Sequence, residues 1–137
     1  MITDDIAALK RIALDTLATS HPTLSVFLDN EPVEQQPVNQ PWCRFVVRPG
    51  AKVIAQAGQT KKYQQLGIAF LQIIIPPQSH EVAGYQIAEA LDAVLRDWRS
   101  PDGALTVYQT EYRTIPSSDK EPNFQINYMA FWKSIRT

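Results

Sequence analysis

The residues with catalytic or metal-binding chemistry are few and scattered along this chain. His21 precedes a proline and His80 lies in a Gln-Ser-His-Glu segment, and neither has a second ligand at a spacing typical of metal sites. Cys43, the one cysteine, lies in a predicted strand between two large side chains, so burial is expected there rather than thiol reactivity. The sequence therefore predicts no metal site, and it predicts solvated or capping roles for both histidines.

Carboxylates and glycines form no catalytic motif either. Glu89 and Asp92 share one surface of a predicted helix, where neighbouring charges are usually solvated rather than placed in a cleft. The chain has no nucleophile elbow, no phosphate-binding glycine loop and no dinucleotide-binding fingerprint. We therefore expect no catalytic residue and no cofactor. The alternative is a small α+β enzyme or ligand-binding module, for which His80, Glu89 or Tyr112 would be the candidate residues.

One basic cluster lies near the middle of the chain, where several lysines precede a tyrosine. Two interpretations stay open for it: a docking loop for an acidic partner or nucleic acid, or a soluble hairpin tip whose lysines discourage strand pairing at an edge. Two residues of a later strand join this cluster as candidate contacts with another protein. The full set of candidate interaction residues is Lys52, Gln59, Lys61, Lys62, Tyr63, Tyr112 and Arg113.

The composition limits the class of protein. The chain has 137 residues, of which 45% are hydrophobic and 20% charged, which is typical of one globular domain spanning residues 1–137. The net charge of -1 argues against specific nucleic acid binding, since phosphate recognition needs a concentrated basic face. A single cysteine excludes an internal disulfide. The longest apolar run, Ile68–Pro77, is too short to cross a membrane, and the acidic N-terminal residues predict no export signal.

Two amphipathic helices are predicted to cover the core. The first runs from about Asp4 to Ala18, with acidic residues in its first turn and apolar residues at helical spacing. The second follows the proline pair that ends a long apolar strand, and it contains the sequence GYQIAEALDAVLRDW, ending near Arg99. Each has one apolar stripe, so each needs a sheet or another helix to pack against.

The strands are predicted from apolar runs and from alternation of apolar and polar residues. Pro49 and Gly50 indicate either a turn or a kink within a longer strand. Loops are expected over Asn30–Pro41 and Pro116–Pro122, where prolines interrupt any ladder. The predicted strands are Leu24–Leu28, Trp42–Arg48 with a continuation over Lys52–Gln56, Tyr63–Ile75, Ala104–Thr114 and Phe124–Trp132.

The resulting order is α-β-β-β-α-β-β, and we predict an α+β fold. The sheet should be mixed and mainly antiparallel, with about five strands and both helices packed on one face. Two helices cannot cover both faces of such a sheet. The other face is therefore expected to contact solvent or neighbouring subunits.

Nearly the whole chain resembles the phage tail terminator family, the tail-completion proteins of lambda-like long-tailed phages. The resemblance is one of pattern and element order, and no single motif carries it. It rests on the N-terminal helix, the proline-rich loop entering PWCRFVVRPG, the strand KKYQQLGIAFLQIIIPP, the helix GYQIAEALDAVLRDW and the closing strands LTVYQTEYRTIP and EPNFQINYMAFWKS.

The resemblance implies a structural role without catalytic residues. Members of this family form a ring, usually a hexamer, that caps the finished tail tube and offers a surface to the head. The implied partners are further copies of the chain, the tail tube protein and a head-completion or neck protein. The implied place is the head-proximal end of the virion tail, after synthesis in the host bacterial cytoplasm. Another neck or head-completion protein is the alternative within the same class.

The segment Gln56–Lys62 is the part of the chain that folding explains least. It is polar and basic, and it contributes to neither the predicted core nor the covering helices. We therefore predict that it is disordered in the free subunit and becomes ordered on docking.

Overall fold

The described part of the chain folds into two helices and one five-stranded sheet. A computed structural model describes residues 2–29, 31, 39–58, 61–77, 81–116 and 123–136. The elements in chain order are α1 (Ile2–Ser20), β1 (Ser25–Leu28), β2 (Trp42–Gln56), β3 (Lys62–Ile75), α2 (Glu81–Leu95), β4 (Leu105–Ile115) and β5 (Phe124–Arg136).

The strands are arranged in the order β1-β2-β3-β5-β4. Only β1 and β2 are parallel, and the other three neighbouring pairs are antiparallel. The long strands β3 and β5 are central, as the apolar character of Ile68–Ile75 indicates. The predicted α+β class, its element order and its mainly antiparallel mixed sheet are confirmed.

One face of the sheet carries the hydrophobic core, and both helices pack on it. Alternate residues of each strand point to that face, so the buried positions recur with a period of two. Full burial of an aliphatic or aromatic side chain contributes about 1.5–3 kcal/mol, which makes this layer the main source of stability. The largest fully buried side chains are Trp132, Tyr128, Phe45, Leu9, Leu17, Leu71, Ile73, Ile75, Leu91, Leu95, Leu105 and Ile126.

Helix α1 buries a stripe formed by Leu9, Ala13 and Leu17, as their helical spacing predicts. It extends two residues beyond the predicted range at each end, because terminal turns have weak sequence signals. His21 donates its backbone N–H to the Leu17 carbonyl at 2.8 Å, and Pro22 follows. The proline therefore ends the helix close to where the sequence predicts.

Helix α2 begins at Glu81 and ends at Leu95, earlier at both ends than the prediction. Asp97 has a φ of 60°, a left-handed conformation that stops the helix before Trp98. Trp98 is part of the core through packing from the following turn rather than from the helix. Gly84 of this helix is buried against β3. A Cβ at this position would lie only 2.3 Å from the Ile75 Cδ1, so the close approach requires glycine.

Strand β2 is a single long strand rather than two strands joined by a turn. Its pairing with β3 shifts by one residue between Pro49 and Lys52 and again between Ile54 and Gln56. Each shift is typical of a β-bulge, which bends the strand without ending it. The kink interpretation of Pro49 and Gly50 is therefore correct, and the turn interpretation is wrong.

Some predictions fall wholly or partly on residues that the structure does not describe. Most of the loop Asn30–Pro41 and nearly all of Pro116–Pro122 lie outside the described residues, as do Gln59 and His80. The prediction of disorder over Gln56–Lys62 is wrong at both ends of that segment. Lys62 pairs with Gln56, the predicted end of β2, because β3 begins one residue before its predicted start at Tyr63.

Candidate interaction surfaces

A hairpin formed by the outer half of β2 and the start of β3 projects beyond the helix-covered core. Every β2 residue from Arg48 to Gln56 is exposed. Strand β1 pairs only with Trp42–Phe45, so no described strand pairs with the outer edge of β2 beyond that range. Val53 and Ile54 are 49% and 56% exposed. The hairpin therefore presents aliphatic side chains and backbone hydrogen-bonding groups to solvent.

The bulge at the base of this hairpin is held by one amide side chain. The Gln65 Nε2 donates to the Gly50 carbonyl at 2.8 Å and to the Leu66 carbonyl at 2.8 Å. These bonds satisfy carbonyls that the bulge removes from the regular ladder. The hairpin base is thus shaped by the strand backbone and by Gln65.

Lys52 and Tyr63 come together on the helix side of the hairpin base. The Lys52 Nζ lies 5.2 Å from the centroid of the Tyr63 ring, a distance compatible with a cation–π interaction. Both line a cavity of about 360 Å³, together with Ile2, Asp5, Gln65, Ser134 and Arg136. Two of the candidate interaction residues therefore share one site.

The other basic candidates lie further along the hairpin. Lys61 and Lys62 are exposed, and Lys62 opens β3 opposite Gln56. Gln59 is outside the described residues, so it has no place in this geometry. The hairpin cluster defined by the described residues is therefore Lys52, Lys61, Lys62 and Tyr63.

Tyr112 and Arg113 lie on opposite faces of the edge strand β4. The Tyr112 ring lies 5.6 Å from the Tyr128 ring on the helix side, and Arg113 pairs with Asn127 on the other face. The Tyr128 hydroxyl donates to the Asp92 Oδ1 at 2.9 Å. Partial burial, followed by the charge of Asp92, raises the pKa of Tyr112. These two candidates therefore do not form one site with the hairpin cluster.

Neither α1 nor α2 packs on the opposite face of the sheet, and we call that face the open face. Its middle is apolar: Phe70 lies between Val46 and Met129, and Ile68 lies beside Phe131. Tyr108 extends this surface, because the bulge in β4 places its ring 6.5 Å from that of Phe131. The charged side chains of this face include Arg44, Arg48, Lys62, Arg113, Lys133 and Glu111, and the Asp29 Oδ2 lies 3.0 Å from the Arg48 Nη1.

An ion-pair network that the sequence did not indicate ties the two chain ends together. The Arg136 Nη2 lies 2.6 Å from the Asp5 Oδ1, and its Nη1 lies 3.0 Å from the Asp102 Oδ2. Asp5 is 1% exposed, so the guanidinium of Arg136 compensates a charge that is almost fully buried. Asp5 and Arg136 are 131 positions apart in the chain, a separation that no local pattern can reveal.

Cys43 is buried, as predicted, and burial raises the pKa of its thiol to about 12. Within the described ranges, no group of three or more His, Cys, Asp or Glu side chains is placed to hold a metal ion. The described part of the chain also contains no helix long and apolar enough to cross a membrane.

Comparisons with known proteins give information about the fold and none about the function. No protein-family model matches the chain, and no curated protein sequence matches it. A solved structure with 20% sequence identity matches with a TM-score of 0.69, and the match covers 98% of this chain and 96% of that one. Identity at this level shows a shared fold alone. The resemblance to tail terminators therefore stays a prediction.

Proposed function

We propose that this protein is a structural assembly protein of a phage or prophage, a tail terminator at the head-proximal end of the virion tail. In this role it caps the tail tube, stops tube polymerisation and contributes to the head–tail joining interface. It has no catalytic role. It acts as a ring of identical subunits, six in the resemblance on which the proposal draws, and it can be monomeric in dilute solution.

The observation that carries the proposal is the exposed hairpin, with all of Arg48–Gln56 accessible. Folding alone does not account for Val53 and Ile54, since exposed aliphatic side chains gain nothing from burial in the free subunit. A surface that another protein covers does account for them. In the proposed role the end of the tail tube covers this surface, and Lys52 and Tyr63, whose Nζ and ring centroid lie 5.2 Å apart, share the contact.

The open face supports the self-assembly part of the proposal. A closed ring needs two different patches on every subunit, one meeting the other on its neighbour. The apolar middle of the open face and the helix layer on the opposite side are two such patches. Aromatic residues such as Phe131 and Tyr108 are typical of interface centres.

The proposal is tested by adding the full-length chain to polymerising tail tube protein encoded in the same genome. A terminator gives short capped tubes with a ring at one end, seen by negative-stain electron microscopy. The variant Val53→Ser with Ile54→Ser should fold normally and cap poorly. The matched control is Thr3→Ser with Ala7→Ser, two exposed positions of α1.

The outcomes separate the candidate roles. Tubes of unchanged length, with no ring on them, contradict the terminator function. Binding to purified neck protein without any effect on tube length favours the alternative neck or head-completion role. Native mass spectrometry of the capped tubes gives the number of subunits in the ring.

A further inference from the structure

A second cavity, of about 350 Å³, lies at the end of the open face beside the hairpin base. Lys62 of β3, Lys133 of β5 and Arg99 of the turn after α2 line it. The rest of its lining is Asp102, Gly103, Ala104, Thr106 and Ile135. Three cations from three separate parts of the chain therefore line one opening, which we call the basic cleft.

The three cations have no carboxylate partner among the described residues. The ion pairs there involve only Arg48 and Arg136 as cations. Lys133 has a neutral neighbour, since its Nζ lies 5.7 Å from the centroid of the Tyr108 ring. Like charges that line one opening repel one another. An anion that enters the cleft therefore lowers the electrostatic free energy of the three cations.

The one carboxylate in the wall of the cleft is already engaged. The Asp102 Oδ2 lies 3.0 Å from the Arg136 Nη1, and its Oδ1 accepts from the Ala104 N–H at 3.0 Å. The Ser100 hydroxyl also donates to it, and these hydrogen bonds hold the pKa of Asp102 well below its usual range. Asp102 therefore offsets Arg136 rather than the three cations of the cleft.

The backbone wall is held in place before any ligand arrives. The Gly103 N–H donates to the Ser100 carbonyl at 2.9 Å, and the Leu105 N–H donates to the Ser100 hydroxyl at 3.1 Å. Gly103 has a φ of 74°, a conformation that glycine adopts without strain. A wall fixed in this way loses little conformational entropy on binding.

We propose that the basic cleft binds carboxylate side chains of an acidic segment in a partner protein. Carboxylates accept charge-assisted hydrogen bonds from Lys and Arg, and these are stronger than bonds between neutral groups. Ile135 lies in the cleft wall and is 38% exposed, and Phe131 lies on the adjoining apolar surface. Acidic and apolar residues that alternate along one peptide match this arrangement.

Nucleic acid matches the cleft less well. Phosphate recognition along a strand needs an extended basic track, whereas these cations are confined to one cleft in a chain of net charge -1. The apolar surface beside the cleft also has no counterpart in a phosphate backbone. The proposal holds whether or not the protein caps tail tubes, so the two can fail independently.

The test uses the isotopically labelled full-length chain, titrated at low salt with a short peptide of alternating Glu and Leu residues. We expect the largest amide shifts at Gly103, Ala104 and Thr106, and weaker binding as salt is raised. The variant Arg99→Gln with Lys133→Gln should lower the affinity about tenfold, since two charge pairs are lost. The matched control is Arg44→Gln with Arg113→Gln, which removes two cations from the far end of the same face and should leave the affinity unchanged.

Three results would overturn the proposal. A peptide of alternating Gln and Leu that binds equally well would show that charge is irrelevant. Shifts confined to another part of the protein would place the site elsewhere. Tighter binding of a single-stranded oligonucleotide than of the acidic peptide, lost in the same double variant, would assign the cleft to nucleic acid.

Discussion

The two halves of the β2–β3 hairpin share one ladder but differ in what covers them. In the inner half, Cys43 and Phe45 of β2 and Leu71 and Ile73 of β3 are buried beneath the helices. In the outer half, every residue of Arg48–Gln56 is exposed. Backbone pairing is continuous through both halves, so the ladder by itself does not determine which part is stable.

This difference in burial assigns stability to the inner half of the hairpin and binding to the outer half. Burial of apolar area stabilises the inner half, and the outer half is held by hydrogen bonds and by Gln65. Substitutions in the inner half should therefore change folding, and those in the outer half should change binding. Thiol reactivity and unfolding free energy test this division.

The largest expected difference concerns thiol reactivity in the two halves. At pH 8 the thiolate fraction of Cys43, with a pKa of about 12, is about a thousandfold lower than for a thiol at the ordinary value of 9.0. A thiol introduced by Ile54→Cys in the outer half should therefore be alkylated at least about a thousandfold faster. Mass spectrometry of a timed reaction measures both rates. Equal rates in the folded variant would show that the inner half opens freely.

The substitution Gly67→Ala should destabilise the boundary between the halves most strongly. A Cβ at Gly67 would lie 2.2 Å from the Trp132 Cζ2 and 2.8 Å from the Arg48 carbonyl oxygen, and neither can move easily. We expect a loss of about 3 kcal/mol in unfolding free energy, measured by urea denaturation. The control is Gly50→Ala, where the nearest atom is 3.4 Å away. Similar losses in both variants would contradict this explanation.

Removal of the Asp5 carboxylate should destabilise the contact between α1 and the end of β5, which lies beside the hairpin base. Asp5→Ala leaves the Arg136 guanidinium without its shorter ion pair, although that side chain keeps Asp102 and is 29% exposed. The solvent access lowers the expected loss to about 2 kcal/mol. Asp15→Ala, on the exposed side of the same helix, should change the unfolding free energy by less than about 0.5 kcal/mol. A comparable loss in both variants would mean that the ion pair stabilises the fold no more than an exposed carboxylate of the same helix does.

The same conservative substitution, isoleucine to valine, can be made in each half of the hairpin to compare their packing. Ile73→Val removes a methylene group from a fully buried side chain and should cost about 1 kcal/mol. Ile54→Val removes the same group from a side chain that is 56% exposed, so the change should be within about 0.5 kcal/mol. Chemical denaturation measures both. An equal loss at the two positions would show that the outer half is packed against something in the free protein.

The smallest expected effect is a dependence of stability on pH through Asp102. Its folded-state pKa is lowered by hydrogen bonds from Ser100, Ala104 and Arg136, so its contribution is present above the unfolded value of 3.8. As pH falls below that value, the contribution is progressively lost. The thermal midpoints of the wild type and Asp102→Asn should therefore differ at pH 7 and converge in acid. A gap that stays constant down to pH 3 would contradict this linkage.

The sequence was sufficient to predict the fold class and the order of helices and strands along the chain. Periodicity identified both helices, and alternation identified the strands, because each pattern reports directly which side faces the core. Trp132, at the end of the strand that alternation predicts, is fully buried in the core. The errors lie at element ends: β3 begins at Lys62 rather than Tyr63, and β5 continues to Arg136 beyond its predicted end at Trp132.

The candidate site was only partly predictable. The sequence placed Lys52 and Tyr63 in one cluster, and the ladder brings them together. Tyr112 and Arg113, which are neighbours in sequence, lie on opposite faces of one strand. Arg99 and Lys133 were missed, since each is a single cation in its own local segment. A weak signal for a basic surface did exist: β2 carries three cations, β3 one and β5 two, and these strands carry no carboxylate.

The sequence by itself determined the secondary structure, the apolar layer and the scarcity of reactive groups, because these depend on residue type and local spacing. Only the tertiary structure determined that Arg136 pairs with Asp5 and that Lys62, Arg99 and Lys133 line one cleft. It also showed that half of β2 extends past the helices into solvent. These features depend on strand order and register, which bring together residues that no local pattern connects.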